Sequence, residues 1–170
     1  MAYFAGYGER KAKLRVLILG SYTPHPGSGA QCEERLAALR TYLQSQGYEN
    51  AKLVSDFPDE PRYSQDPNIH SELKSKDKIE SWADGLILVF LRDCNNDGVA
   101  SELTFVDAKL PNLFHSTVVL EEKGTHVSSM ERGPIARHEI EVDEFEADAE
   151  LNAFAEGACS KILSKNLTRL

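Results

Sequence analysis

Two glycine-containing polar loops, and a glutamate just beyond the second, hold the residues of this chain best placed for chemistry. The first loop, residues 20–29, reads GSYTPHPGSG. Its glycines, Gly20 and Gly29 among them, permit close backbone approach, and the free N–H groups of a following helix can hold an anion. Ser21, Tyr22, Thr23 and Ser28 add hydroxyls. No Gly-Lys-Ser/Thr follows, so this is not a Walker motif, and the G-x-G-x-x-G of dinucleotide folds is missing too. An ordinary turn capping a helix through Ser28 is the plain alternative. His25, between two prolines, reads as an exposed loop residue.

The second loop and the helix start after it read RDCNNDGVASE, residues 92–102. Asp93, Asn95, Asp97 and Gly98 match the first half of a calcium loop. The closing Glu is replaced by Thr104, and an apolar strand leads in where a helix is needed, so calcium is not expected. Asp97 is expected to cap the helix. Arg92 can neutralise a phosphate or pair on the surface, and Cys94 has no assigned base to activate it. Glu102 falls in the first turns of that helix. An isolated glutamate there gains only a fraction of a kcal/mol from the helix dipole. Beside a ligand loop, a carboxylate can instead attack a sugar carbon or stabilise a cationic one.

The elements that must position these residues follow from hydrophobic patterning. Residues 14–20 (LRVLILG) and 85–91 (GLILVFL) are short continuous apolar runs, as in strands buried on both faces. Residues 51–54 and 116–120 are further strands, and residues 139–142 a weak fifth. Helices are expected over 31–46, ended by Gly47, over 70–83 with Leu73, Ile79 and Trp82 as the apolar side, over 99–110 before Pro111, and over 147–163. Residues 56–68 hold three prolines and read as a loop, as do residues 121–134. His115, His126 and His138 read as surface residues, and residues 139–150 as a solvated acidic run. Residues 1–13 read as a loose leader before a single α/β domain over 14–170.

This alternation predicts an α/β, flavodoxin-like, doubly wound fold with a mostly parallel five-stranded sheet in order 2-1-3-4-5. Ligands in such sheets bind where strand order reverses, here between the ends of strands one and three. Those two strands feed the two loops described above.

Composition narrows the class. The chain has 170 residues and a formal net charge of −8, which argues against nucleic-acid binding through a basic face. There is no apolar run long enough to cross a membrane and no secretory signal at the N-terminus. Cys32, Cys94 and Cys159 are far apart and odd in number, so no disulfide framework and no metal site are expected. The cytoplasm is the expected compartment.

The segment SWADGLILVFLRDCNNDGVASELTFVDAKLPNLFHSTVVL resembles the core of the nucleoside 2-deoxyribosyltransferases and the related deoxynucleotide N-glycosidases. The matching pieces are Ala83-Asp84, the strand over 85–91, Gly98-Val99-Ala100-Ser101-Glu102-Leu103 and the strand over 117–120. RVLILGSY is similar to the family's first strand and ligand loop. The resemblance implies that Glu102 is the nucleophile at the anomeric carbon of a nucleoside or nucleotide, and that Asp97 or Asp93 helps protonate the leaving base. It makes Asp77 the nearest match to a family aspartate, and Ser21, Ser28 and Ser101 candidates for a 5′-phosphate. It implies no cofactor and no metal, and a homodimer or higher oligomer in which a neighbouring subunit completes the site. The transferases carry a tyrosine in the first strand that orients the nucleophile; this chain has Ile18 there, and Tyr22 in the loop. The layout also resembles TIR domains, which cleave NAD or act as scaffolds. A non-catalytic nucleotide binder is the third expectation.

Overall fold

A computed structural model describes residues 2–167. Its elements run α1 (Ala2–Lys13), β1 (Val16–Gly20), α2 (Cys32–Ser45), β2 (Ala51–Leu53), α3 (Pro67–Ser81), β3 (Gly85–Phe90), α4 (Asp97–Lys109), β4 (Thr117–Glu122), α5 (Ser129–Arg137), β5 (Glu141–Phe145) and α6 (Asp148–Leu167). Short 3-10 turns cover Val54–Asp56 and Pro111–Ser116.

The strands form one sheet in order β2-β1-β3-β4-β5, with every pairing parallel. This is the doubly wound, flavodoxin-like α/β arrangement expected from the sequence. Residues alternate across the strands, so each strand feeds two cores. Val16 and Ile18 of β1, with Ile87 and Val89 of β3, pack against Leu36, Leu39 and Leu43 of α2 and Ala155 and Ile162 of α6. Leu17 and Leu19, with Leu86, Leu88 and Phe90, pack against Ile79 of α3, Val99, Leu103 and Val106 of α4, and Ile135 of α5. The two faces explain why β1 and β3 read as unbroken apolar runs. Gly85 opens β3 because a Cβ there would meet the Ser116 carbonyl oxygen at 2.8 Å and Ile162 at 2.6 Å.

Several expectations are corrected. Residues 2–13 form a helix rather than a loose leader; the Lys11 ammonium lies over the Tyr48 ring and donates to the Gln46 carbonyl, and Asn50 donates to the Ala12 carbonyl. Residues 121–134 are not one loop, because β4 runs on to Glu122 and α5 starts at Ser129 behind a capping box of Ser128 and Glu131. That box is the signal the sequence reading passed over. The fifth strand lies two residues later than expected. Leu73 is not on the buried side of α3. It is exposed, as is Ile69, and the buried residues of that helix are Lys74, Ser75 and Ile79. His138 is half-buried, stacked on Phe114 and bonded to Asp107 at 2.6 Å.

The cysteines depart furthest from expectation. Cys32, at the start of α2, is disulfide-bonded to Cys94, in the loop after β3; both are buried, and Cys159 is free and buried. Sixty-two residues separate the partners, so sequence spacing gave no hint. They meet because the loops after β1 and β3 meet. By loop-closure entropy a bridge of this span is worth about 4 kcal/mol. The expected outcome of Cys32→Ala/Cys94→Ala is an unfolding free energy lower by that order, with a steeper denaturant slope because the freed unfolded chain exposes more surface. Alkylation of the unfolded, unreduced protein should label Cys159 alone; labelling of three thiols would contradict the bridge.

Candidate functional site

The crossovers on either side of β1 run to opposite faces, which leaves a cleft beyond the carboxyl ends of β1 and β3. A cavity of about 750 Å³ opens there, within the range of small-molecule sites. Its walls come from four segments: residues 19–23 at the end of β1, residues 54–59 after β2, the α3 face carrying His70, Ser71, Lys74 and Ser75, and the loop and start of α4 with Asn95, Asp97, Gly98, Ser101 and Glu102.

The two loops under the cavity are tied together by more than the disulfide. The His25 amide donates to the Asp93 carbonyl at 2.9 Å and the Asn95 amide to the Thr23 carbonyl at 2.9 Å. The Ser28 hydroxyl donates to the same Asp93 carbonyl at 3.0 Å. Asp93 takes a positive φ of 64° to turn that carbonyl toward the first loop, and Gly29 sits at 64° as well. Among the described residues only Asp93 and Glu139 adopt this conformation without being glycine, and aspartate tolerates it. From the other side, the buried Glu122 carboxylate accepts the Arg92 amide at 2.7 Å and the Arg35 guanidinium at 2.9 Å.

Glu102 stands at the inner wall. The residue keeps a partial opening to the cavity while protein encloses its carboxyl, and the buried Ser75 hydroxyl donates to Oε1. Desolvation pushes its pKa up to about 7, against the lowering effect of the Ser75 hydrogen bond. No cation is among the causes that would hold it charged. This acid therefore exchanges between its two forms near neutrality, the range in which acid–base groups of active sites are commonly poised.

Tyr22 lies across the cavity. Its phenol is pushed up chiefly by burial; Ser55 hydrogen-bonds it, and the charges of Glu102 and Asp56 also favour the neutral form. Tyr22 and the glutamate thus line one cavity, while Ile18 of β1 points its side chain into the core.

The expected site residues divide into two groups. Gly20, Ser21, Tyr22, Asp97, Gly98, Ser101 and Glu102 line one cavity. Ser28, Gly29, Asp93 and Arg92 do not: the first three build the junction between the loops, and Arg92 is exposed beside Asp93 and Gly124. Asp77 is also outside, on α3, where the Tyr63 hydroxyl donates to it at 2.5 Å and Arg62 at 3.0 Å. Those partners hold its carboxyl below the usual range. Asp97 is not the cap of α4; Asn96 precedes it, and Asp97 is exposed in the first turn. The sequence reading missed His70, Lys74 and Ser75. Their i, i+4 and i+5 spacing was legible, but a lysine and a serine on the inner face of a helix give no pattern signal, because patterning arguments look for apolar residues there.

Comparison with protein-family models and with curated proteins returns no match.

Glu102 leaves a signature in stability. The unfolded carboxyl titrates near 4.5 and the folded one near 7. Below pH 4.5 both states hold the proton. Between those values only the folded state does, so the stability associated with neutral Glu102 declines as pH rises and is lost above about 7. Glu102→Gln removes that decline. The variant should equal wild type near pH 4.5 and exceed it by about 3 kcal/mol above pH 8. Parallel denaturant curves for the two proteins across this range would show no divergence if the carboxyl were solvated.

Proposed function

We propose that this protein cleaves or transfers the N-glycosidic bond of a nucleoside or nucleotide, with Glu102 as nucleophile. The observation that carries the reading is an enclosed, cation-free carboxyl poised near neutral pH, held by a serine in a cavity at the switch point of the sheet.

In this scheme ionised Glu102 attacks C1′ as the C1′–N bond breaks, through an oxocarbenium-like transition state. The electron pair of that bond leaves with the base. Asp97, exposed on the cavity wall, relays a proton from solvent to the departing base, since it shares the cavity with Glu102 and Asp93 does not. Water, or a second base, then attacks C1′ of the glycosyl ester and frees Glu102. Ser75 fixes the carboxylate by hydrogen bonding to Oε1, leaving Oε2 for attack. Tyr22, Ser21 and Ser101 supply hydroxyls around the sugar. Tyr22 takes the place of the strand tyrosine of the deoxyribosyltransferases, from the loop instead of from β1. The scheme calls on no metal and no cofactor.

The same reading places the protein in the cytoplasm, where burial keeps Cys32–Cys94 out of reach of thiol reductants while the chain is folded. It also implies a dimer, and the exposed Ile69 and Leu73 of α3 are the apolar residues next to the cavity that a second subunit would cover.

Base release from nucleosides, nucleoside monophosphates and NAD, followed by chromatography, tests the assignment. Glu102→Gln should lose roughly 10³-fold or more of wild-type turnover with its fold intact. Because the nucleophile must be ionised, kcat/KM should rise with pH through about 7 and level off above. A rate that falls through that pH would make Glu102 an acid rather than a nucleophile. Release from NAD alone would favour TIR-like chemistry, and ligand-raised melting temperatures without consumption would favour a binder.

A further inference from the structure

The inner face of α3 holds an ion pair that the scheme above does not use. Lys74 is 5% exposed, and its Nζ donates to Asp59 Oδ1 at 2.8 Å. One turn earlier His70 places Nδ1 3.9 Å from the same oxygen. Its ring is held edge-on by Tyr63, with centroids 5.3 Å apart. Both residues, and Asp59, line the same cavity as Glu102.

The pair is unequal. The Asp59 side chain is 81% exposed while that of Lys74 is 6% exposed. Asp59 comes from the irregular segment 57–66 between the 3-10 turn and α3, which includes Pro58 and Pro61. That segment is anchored on both sides of Asp59: Asp56 pairs with Arg40, and Tyr63 and Arg62 bond to Asp77. Asp59 itself is bonded to nothing but the Lys74 ammonium among the hydrogen bonds of the described residues.

A purely structural role accounts poorly for this arrangement. Burying an ammonium costs several kcal/mol, and an apolar residue of similar size is commonly as stable or more so. A solvated carboxylate recovers little of that cost. An ammonium kept at a cavity wall, with an imidazole beside it and a readily displaced counter-ion, is instead built to receive an anion. Phosphate carries more charge than a carboxylate and offers an oxygen to each donor.

Resting on the N-glycosidic reading above, we propose that Lys74 and His70 bind the phosphate of a nucleoside phosphate substrate, and that Asp59 occupies this site until the substrate displaces it. Ser71, which lines the cavity between them in sequence, adds a hydroxyl. The site differs from the one expected on the first loop, where Ser28 is committed to the Asp93 carbonyl.

Titration calorimetry with inorganic phosphate tests the site without reference to catalysis. Asp59→Asn should bind phosphate at least about 5-fold more tightly than wild type, since the internal competitor is gone. Lys74→Gln should lose measurable binding, and Lys74→Arg, which keeps the charge, should retain it. Circular dichroism of each variant separates loss of binding from loss of fold, and Asp59→Asn stands as a test should Lys74→Gln not fold. Unchanged phosphate affinity in Asp59→Asn, or retained affinity in folded Lys74→Gln, would overturn the proposal. In the base-release assay, adenosine 5′-monophosphate should be preferred over adenosine by at least about 10-fold, with the preference lost in Lys74→Gln. Phosphate binding that follows this pattern without base release would uphold the anion site and sink the glycosidase reading. Base release with no phosphate preference and no phosphate binding would do the reverse.

Discussion

The parallel pairing of β1 with β3 is the constraint from which the rest of the molecule follows. Val16 through Gly20 align with Gly85 through Val89 in continuous register. The chain leaves β1, crosses one face through α2 to reach β2, and returns across the other face through α3 to β3. Right-handed crossovers in opposite directions leave no helix over the ends of β1 and β3. The cavity is the space that results. Gly20 belongs to the same constraint: it ends β1 against Leu36 of α2, where a Cβ would meet the leucine side chain at 2.8 Å.

A cleft of this kind is only as well defined as the loops at its mouth, and here those loops are fixed from below. The Cys32–Cys94 bridge, the backbone bonds among Thr23, His25, Asp93 and Asn95, and the Ser28 hydroxyl join the loop after β1 to the loop after β3. Glu122 ties both to the end of β4 through the Arg92 amide and Arg35, and Arg35 continues to Asp148 at the start of α6. Residues suited by type to ligand binding are thereby spent on holding the floor. Ordering is supplied in advance, which lowers what a ligand must supply on binding.

Several enclosed polar groups border the cavity. Ser75 and Lys74 turn inward from α3, while Leu73 and Ile69 face out. Glu102 is enclosed without a cation. Enclosing Lys74, Ser75 and Glu102 destabilises the folded state relative to apolar alternatives, and all three border one cavity. Local rules broken together at one place are the expected mark of a functional site.

The sequence by itself determined the architecture. Continuous apolar runs at β1 and β3, helical spacing in α2 and α6, and the alternation of the two types through the fourth strand admit few topologies, and the observed strand order is the one expected. It also singled out the two loops and Glu102, because a glycine-rich loop and a carboxylate at a helix start have recognisable local composition. What only the tertiary structure decided is which of those residues share a space. Asp93 and Asp97 are four residues apart and chemically alike, yet one builds the junction and the other lines the cavity; Asp77 is turned to Tyr63 and Arg62. The disulfide spans 62 residues, and Lys74 meets Asp59 across an irregular loop. Such pairings depend on crossover geometry and loop paths, which hydrophobic periodicity does not encode. Periodicity reports which face of an element leaves water. It does not report that a lysine, a serine and a glutamate leave water together, since that arrangement is set by the shape of the cleft and not by any residue's own preference.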